Sequence, residues 1–137
     1  MKFLKALVFF ISICVIASAF TVLFYYNFVV FDVKEYDMVL IVSDHIGFDV
    51  TTEKLHFGMV TPGGSSTRDL IIANEFSRPL IVQIKTSGKL ASWVAPSVNN
   101  FILQPNETKN VTMVAVAPED AKYGNYTGKV KIVFRRF

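Results

Sequence analysis

Three Asn-x-Thr triplets carry the most chemistry in this sequence: Asn106-Glu107-Thr108, Asn110-Val111-Thr112 and Asn125-Tyr126-Thr127. An asparagine amide two positions before a hydroxyl is the acceptor pattern for N-linked glycans on external segments. Asn106 and Asn125 fall next to turns, and Asn110 shares the outward face of a strand with Thr112. Asn and Thr are also ordinary turn and strand residues, so the triplets mark modification candidates rather than a binding site. His45 and His56, the only histidines, lie near Asp44, Asp49 and Glu53. Those donors would suit a mixed nitrogen–oxygen metal site. No His-x-x-x-His spacing organises them, so they read as one loop and one strand histidine. Serines are plentiful, but no G-x-S-x-G elbow holds one as a nucleophile. Gly63-Gly64-Ser65-Ser66 lacks the Lys-Ser/Thr and the following helix of a phosphate loop, and reads as a turn. The sequence therefore predicts no catalytic residue, metal or cofactor.

The element that places these residues is the charge-free run 6–31, whose only polar side chains are Ser12, Ser18, Thr21 and Asn27. As a helix it would reach about 39 Å, enough to cross a hydrocarbon core of ~30 Å. Lys2 and Lys5 precede it, and Asp32, Lys34, Glu35 and Asp37 follow it. The positive-inside rule puts residues 1–5 in the cytoplasm and 32–137 outside. Tyr25 and Tyr26 suit the outer interface. Ala17-Ser18-Ala19 also fits a signal-peptide cleavage site. The chain stays apolar from Phe20 to Phe31, however, and a secreted protein would expose that segment to water. The reading is a signal-anchor that meets the lipid bilayer through 6–31. Ser12, Ala17, Ser18 and Ala19 could mark a helix-packing face, although small residues are common in membrane helices generally.

The formal charge of +3 misleads, because Lys2 and Lys5 account for two of those charges. The remainder has no electrostatic footprint for nucleic acid. Cys14, the single cysteine, lies inside the apolar run, so the external part has no disulfide and depends on packing. That part is the size of one domain.

Period-two alternation marks its strands. Residues 36–52 read as strand, turn, strand, with apolar runs at 38–42 and 48–50. Residues 55–60 alternate and end in Thr61-Pro62-Gly63-Gly64, a type II turn with Gly63 at the position that needs positive φ. Residues 68–74 place Leu70 and Ile72 on one face, and 79–85 place Leu80, Val82 and Ile84 inward. Trp93 is expected as a filler between two sheets. A brief strand at 101–103 precedes 109–117, where Val111, Met113 and Ala115 share a face. The last strand, 125–136, turns Tyr126, Val130, Ile132 and Phe134 in. Its Lys129, Lys131, Arg135 and Arg136 form a basic stripe that could touch anionic lipid headgroups or an acidic envelope polymer, but it is read as edge-strand charges that prevent sheet-to-sheet association. Val114, Val116, Ile71 and Ile81 fall off the main core face and could begin a partner surface. Roughly seven to nine short strands without helical periodicity indicate an all-β sandwich after one N-terminal transmembrane helix.

From Leu55 the order of signals is L-x-F-G-x-V-x-P-G (Leu55, Phe57, Gly58, Val60, Pro62, Gly63), then a strand ending at Asn74 and one beginning at Pro79. F-x-L-x-P-x-x-T follows (Phe101, Leu103, Pro105, Thr108), then a strand closed by Pro118, then Gly124-x-Tyr126-x-Gly128. Over residues 50–137 this resembles immunoglobulin-like domains of the major-sperm-protein and ASH type, and related bacterial and archaeal envelope domains. The resemblance implies an immunoglobulin-like sandwich that acts as a non-catalytic binding or assembly module, and it carries over no binding residues. By architecture alone the chain also looks like the envelope-binding stator subunits of the archaeal swimming filament.

The expectation is a membrane-anchored interaction module of the cell envelope that binds a protein partner through a sandwich edge or face, edge addition being the simplest mode. One alternative is an accessory, stator-like subunit whose helix also packs with partners. Another is a carbohydrate-binding module that uses Tyr123 and Tyr126.

Overall fold

The apolar run forms α1 (Lys2–Phe28), and every described side chain on it is exposed. No part of this helix is buried against the rest of the protein. The computed structural model describes residues 1–44 and 55–137. Val29 caps α1 in the helical region, its N–H donating to Tyr25 O at 3.0 Å. The helix stops three residues short of the expected 31, because Val30 and Phe31 already belong to β1 (Val30–Val42). Hydropathy does not distinguish these residues from membrane helix, but branched and aromatic side chains suit a strand, and a partner strand is waiting.

That partner is β8 (Gly124–Arg136), antiparallel to β1 from Val30↔Arg135 to Val42↔Gly124. The charges at 32–37, which seemed to separate helix from strand, lie within β1. The remaining strands are β2 (Leu55–Val60), β3 (Ser65–Ala73), β4 (Leu80–Gly88), β5 (Val94–Pro96), β6 (Phe101–Leu103) and β7 (Thr108–Val116). Among the described residues they form two sheets, β2-β1-β8-β4-β6 and β3-β7-β5. All pairings are antiparallel except β1 with β2, which is parallel. The expected strand at 48–50 lies outside the described residues.

One core joins the two sheets. Met38, Leu40, Leu80, Val82, Val130, Ile132 and Phe134 enter it from the larger sheet, and Leu70, Ile72, Val111, Met113 and Ala115 from the smaller. The alternation expected for β3, β4, β7 and β8 is what buries these residues. Each buried aliphatic side chain contributes about 1.5–3 kcal/mol, and with no disulfide in the domain this burial is its main source of stability.

Two glycines fix the corner between β2 and β3. Gly58 (φ 82°) carries the extra β2 residue between the pairs Val39↔His56 and Ile41↔Met59, a bulge that needs positive φ. Gly63 (φ 75°) completes the expected turn, in which Gly64 N–H donates to Thr61 O at 2.8 Å.

Two expectations are corrected. Trp93 is only half-buried, its ring centroid 4.4 Å from that of Tyr126. The turn before β5, in which Trp93 and Val94 N–H both donate to Leu90 O, sends Leu90 into the core instead. Strand β8 is not an edge but the middle strand of five, so its lysines cannot serve as edge charges.

Candidate functional site

The lysines of β8 have another use. Register sets Glu35 on β1 opposite Lys131, one step from Lys129. Its carboxylate lies 2.7 Å from Lys129 Nζ and 3.4 Å from Lys131 Nζ. The Lys129 hydrogen bond, then that of Lys131, holds the Glu35 carboxyl below its usual range. Glu35 in turn raises Lys129. A lowered carboxylate pKa stabilises above the normal titration range, and that contribution disappears as pH falls through the lowered value. The raised Lys129 contribution is lost as pH rises through its own pKa. The stability difference between wild type and Glu35→Gln, measured by denaturant midpoints, should therefore be flat around neutrality and vanish in acid. Because the pair is solvent-exposed, the difference should also shrink with added salt. A steady difference at low pH would rule this out.

The glycosylation candidates are all exposed. Asn106 sits in the β6–β7 turn with φ 58°, at the end of the domain nearest α1. Asn110 is on the outer face of β7 opposite Ile71, and Asn125 opens β8 at the far end opposite Ile41. Asn125 also borders an open groove of about 540 Å³ with Asp37, Ser87, Gly88 and Lys129. Among the described residues no three His, Cys, Asp or Glu side chains gather as a metal site. His45, Asp49 and Glu53 lie outside them. His56 is half-buried on β2, and its carbonyl accepts from Arg68 Nε at 2.5 Å.

The apolar residues expected to form one surface do not. Ile71, 72% exposed, and Val116 lie on the smaller sheet, but the Asp69–Thr112 hydrogen bond at 2.8 Å separates Ile71 from Val114. Ile81 belongs to the other sheet. Of the two tyrosines named for carbohydrate, Tyr126 packs at a 44° tilt against Trp93 and donates its hydroxyl to Lys122 O at 2.9 Å, while Tyr123 is exposed.

Two features escaped sequence reasoning. The first is the free edge of β3. The other edges are blunted: β2 carries a bulge, while β5 and β6 span three residues each and β5 ends in proline. Strand β3 runs nine residues. Flanking bonds from Ala117 N–H to Gly64 O and from Asn74 N–H to Glu107 O assign its even-numbered residues to the β7 ladder. The backbone groups of Ser65, Thr67, Asp69, Ile71 and Ala73 therefore point to the open edge, where among the described residues the Thr67 carbonyl accepts only a long bond from Arg68 Nη1 at 3.4 Å. The second feature is at the helix-proximal end. Phe31 meets the Phe76 ring edge to face at 4.5 Å, and the guanidinium carbons of Arg78 and Arg136 stand 5.5 and 5.6 Å from its centroid. Only the Pro79 strand signal hinted at Arg78, and nothing local linked it to Phe31. Arg135 lies beside this end, donating through Nη2 to Gln83 Oε1 at 2.5 Å while its Nε is buried without a partner among the described residues.

Compared with known protein families and with curated proteins, the chain matches none.

Proposed function

We propose that the protein is a single-span membrane protein whose β domain is a non-catalytic interaction module held outside the membrane. One observation carries this reading: α1 is apolar, long enough to cross a bilayer, wholly uncovered, and joined to β1 through Val29 alone. An uncovered apolar helix of that length is stable in lipid and not in water. Its polar side chains are compatible with lipid. Ser12, Ser18, Thr21 and Asn27 donate to Val8, Val15, Ala17 and Leu23 carbonyls of the same helix and need no neighbouring helix to satisfy them. That favours an anchor over the stator-like reading in which the helix packs with partners. The order of the basic flank and the domain supports a cytoplasmic N-terminus. Two sheets over one core, with the turn and alternation signals in the expected places, support an immunoglobulin-like sandwich of the major-sperm-protein and ASH type.

The partner is an envelope protein that adds a strand to β3, since open-edge backbone groups supply affinity to any extended segment. Ile71 provides the apolar contact beside that edge. A photo-crosslinker at Ile71 should capture a partner in native membranes, whereas one at Ile102 on β6 should not. Thr67→Pro removes an edge N–H without touching the β7 ladder and should cut the adduct roughly tenfold, equivalent to about 1.4 kcal/mol. An adduct unaffected by Thr67→Pro would sink the edge reading.

A further inference from the structure

We infer that the helix-proximal end of the β domain is a binding surface for anionic phospholipid headgroups, built from Arg78 and Arg136 around Phe31. The inference rests on the membrane-span reading and adds a second membrane contact to it.

The depth of this surface follows from chain geometry. Counted from Ala6, the first ~30 Å of apolar helix reaches about Tyr25, which fills a bilayer core. Tyr25, Tyr26, Asn27 and Phe28 therefore lie at the interface. No linker follows. Val29 O accepts from Arg136 N–H at 3.2 Å, so the end of β8 is hydrogen-bonded to the helix cap. Phe31 is three residues beyond Phe28, and a strand advances ~3.3 Å per residue. The guanidinium groups flanking Phe31 are thus held at headgroup depth. A domain on a flexible tether could keep its charges away from the leaflet, whereas this one has no slack.

The chemistry matches that depth. Arg78 and Arg136 are exposed, and among the described residues neither is in an ion pair. Guanidinium over an aromatic face keeps its edge N–H groups free for phosphate. Phe137, 77% exposed, and Phe76, 37% exposed, add apolar rings at the same end. Three carboxylates lie near this end: Asp32 and Glu107, held by backbone N–H groups of Val33 at 2.8 Å and Gln104 at 2.7 Å, and Glu75. With those carboxylates present, attraction to an anionic headgroup rests on the two guanidinium groups over Phe31 and not on a net positive end. This surface would hold the domain down on the leaflet and make its orientation depend on anionic lipid.

The test uses the full chain in vesicles of phosphatidylcholine, with or without phosphatidylglycerol, containing headgroup spin-labelled lipid. Wild type reports through Trp93 at the far end, and Phe137→Trp adds an indole at the proposed surface. The added indole should be quenched far more than Trp93, and more strongly with phosphatidylglycerol present. Arg78→Gln and Arg136→Gln should each reduce the docked population about fivefold on anionic vesicles. Phe76→Trp gives a second reporter at the same end. Retention after alkaline carbonate with equal quenching of near and far indoles would overturn this inference alone. Release by carbonate would overturn the membrane-span reading and this inference with it.

Discussion

Replacing Asn74 with alanine is expected to lower the unfolding free energy of the β domain by about 3–5 kcal/mol. Asn74 is 1% exposed and is the one buried polar residue among those described. Its Nδ2 donates to Arg78 O at 2.8 Å, Leu103 O at 3.0 Å and Gln104 O at 3.1 Å. Its Oδ1 accepts from Phe76 N–H at 3.0 Å, and its backbone pairs with Asn106 and Glu107. One side chain therefore joins the end of β3, the 74–78 connection, the end of β6 and the β6–β7 turn. Truncation strands several backbone groups, each at a cost of about 1–3 kcal/mol when buried. A domain stable by about 5–15 kcal/mol would lose a large share of that margin. Asn74→Asp should be no better, because a carboxylate cannot donate to three carbonyls and would be buried charged. The comparison is Asn99→Ala. Asn99 also brackets a backbone, donating to Ile84 O at 2.8 Å and accepting from Ile84 N–H at 2.7 Å, but its side chain is exposed and these bonds are only partly buried, so water can take up part of what is lost. That change should cost about 1 kcal/mol. Urea unfolding of the full chain in detergent, followed by Trp93 fluorescence, measures both. Equal costs for the two substitutions would refute the network.

Asn74 also illustrates what the sequence makes legible. Its place at the end of a strand is readable from the alternation of Leu70 and Ile72 and the following Pro79, because strand burial has a period of two. Its hydrogen-bond partners are not readable, because Leu103 and Gln104 are brought to it only by tertiary pairing. The same division holds elsewhere. Inward residues of β3, β4, β7 and β8 follow from local pattern. The helix end does not, since Val30 and Phe31 are as apolar as the residues before them and only the pairing with β8 makes them strand. Charges at 32–37 looked like a boundary because a sequence cannot show that Lys129 and Lys131 wait across the ladder for Glu35. Strand order is equally hidden, which is why β8 read as an edge. The Phe31 cluster joins residues from β1, β8 and the 74–78 connection, and no window of sequence contains all three. Of the five residues in the histidine question, His45, Asp49 and Glu53 lie outside those described, while the glycan candidates are placed by turn, register and exposure.

Placing arginine at both Ile13 and Val15 should abolish membrane retention. Two positions apart on a helix lie on nearly opposite faces, so no rotation of α1 hides both charges. Each arginine near the centre of a span costs roughly 2.5–3.5 kcal/mol by insertion scales, and the pair forfeits the favourable terms of the residues replaced. Wild type should resist alkaline carbonate and run at its full mass of 15.4 kDa. A shorter product beginning at Phe20 would instead show that Ala17-Ser18-Ala19 is cleaved. Such a product would keep Phe20, Leu23, Phe24, Tyr25, Tyr26 and Phe28 on an uncovered helix, a surface that water does not tolerate. The double arginine variant should appear in the carbonate-soluble or aggregated fraction with its β domain still folded. An unchanged urea midpoint for that domain is the sharper result, because a helix that buries nothing of itself against the sheets cannot contribute to their stability. Loss of the midpoint together with membrane retention would mean that α1 supports the sheets, and would overturn the reading of a helix that packs on nothing but lipid.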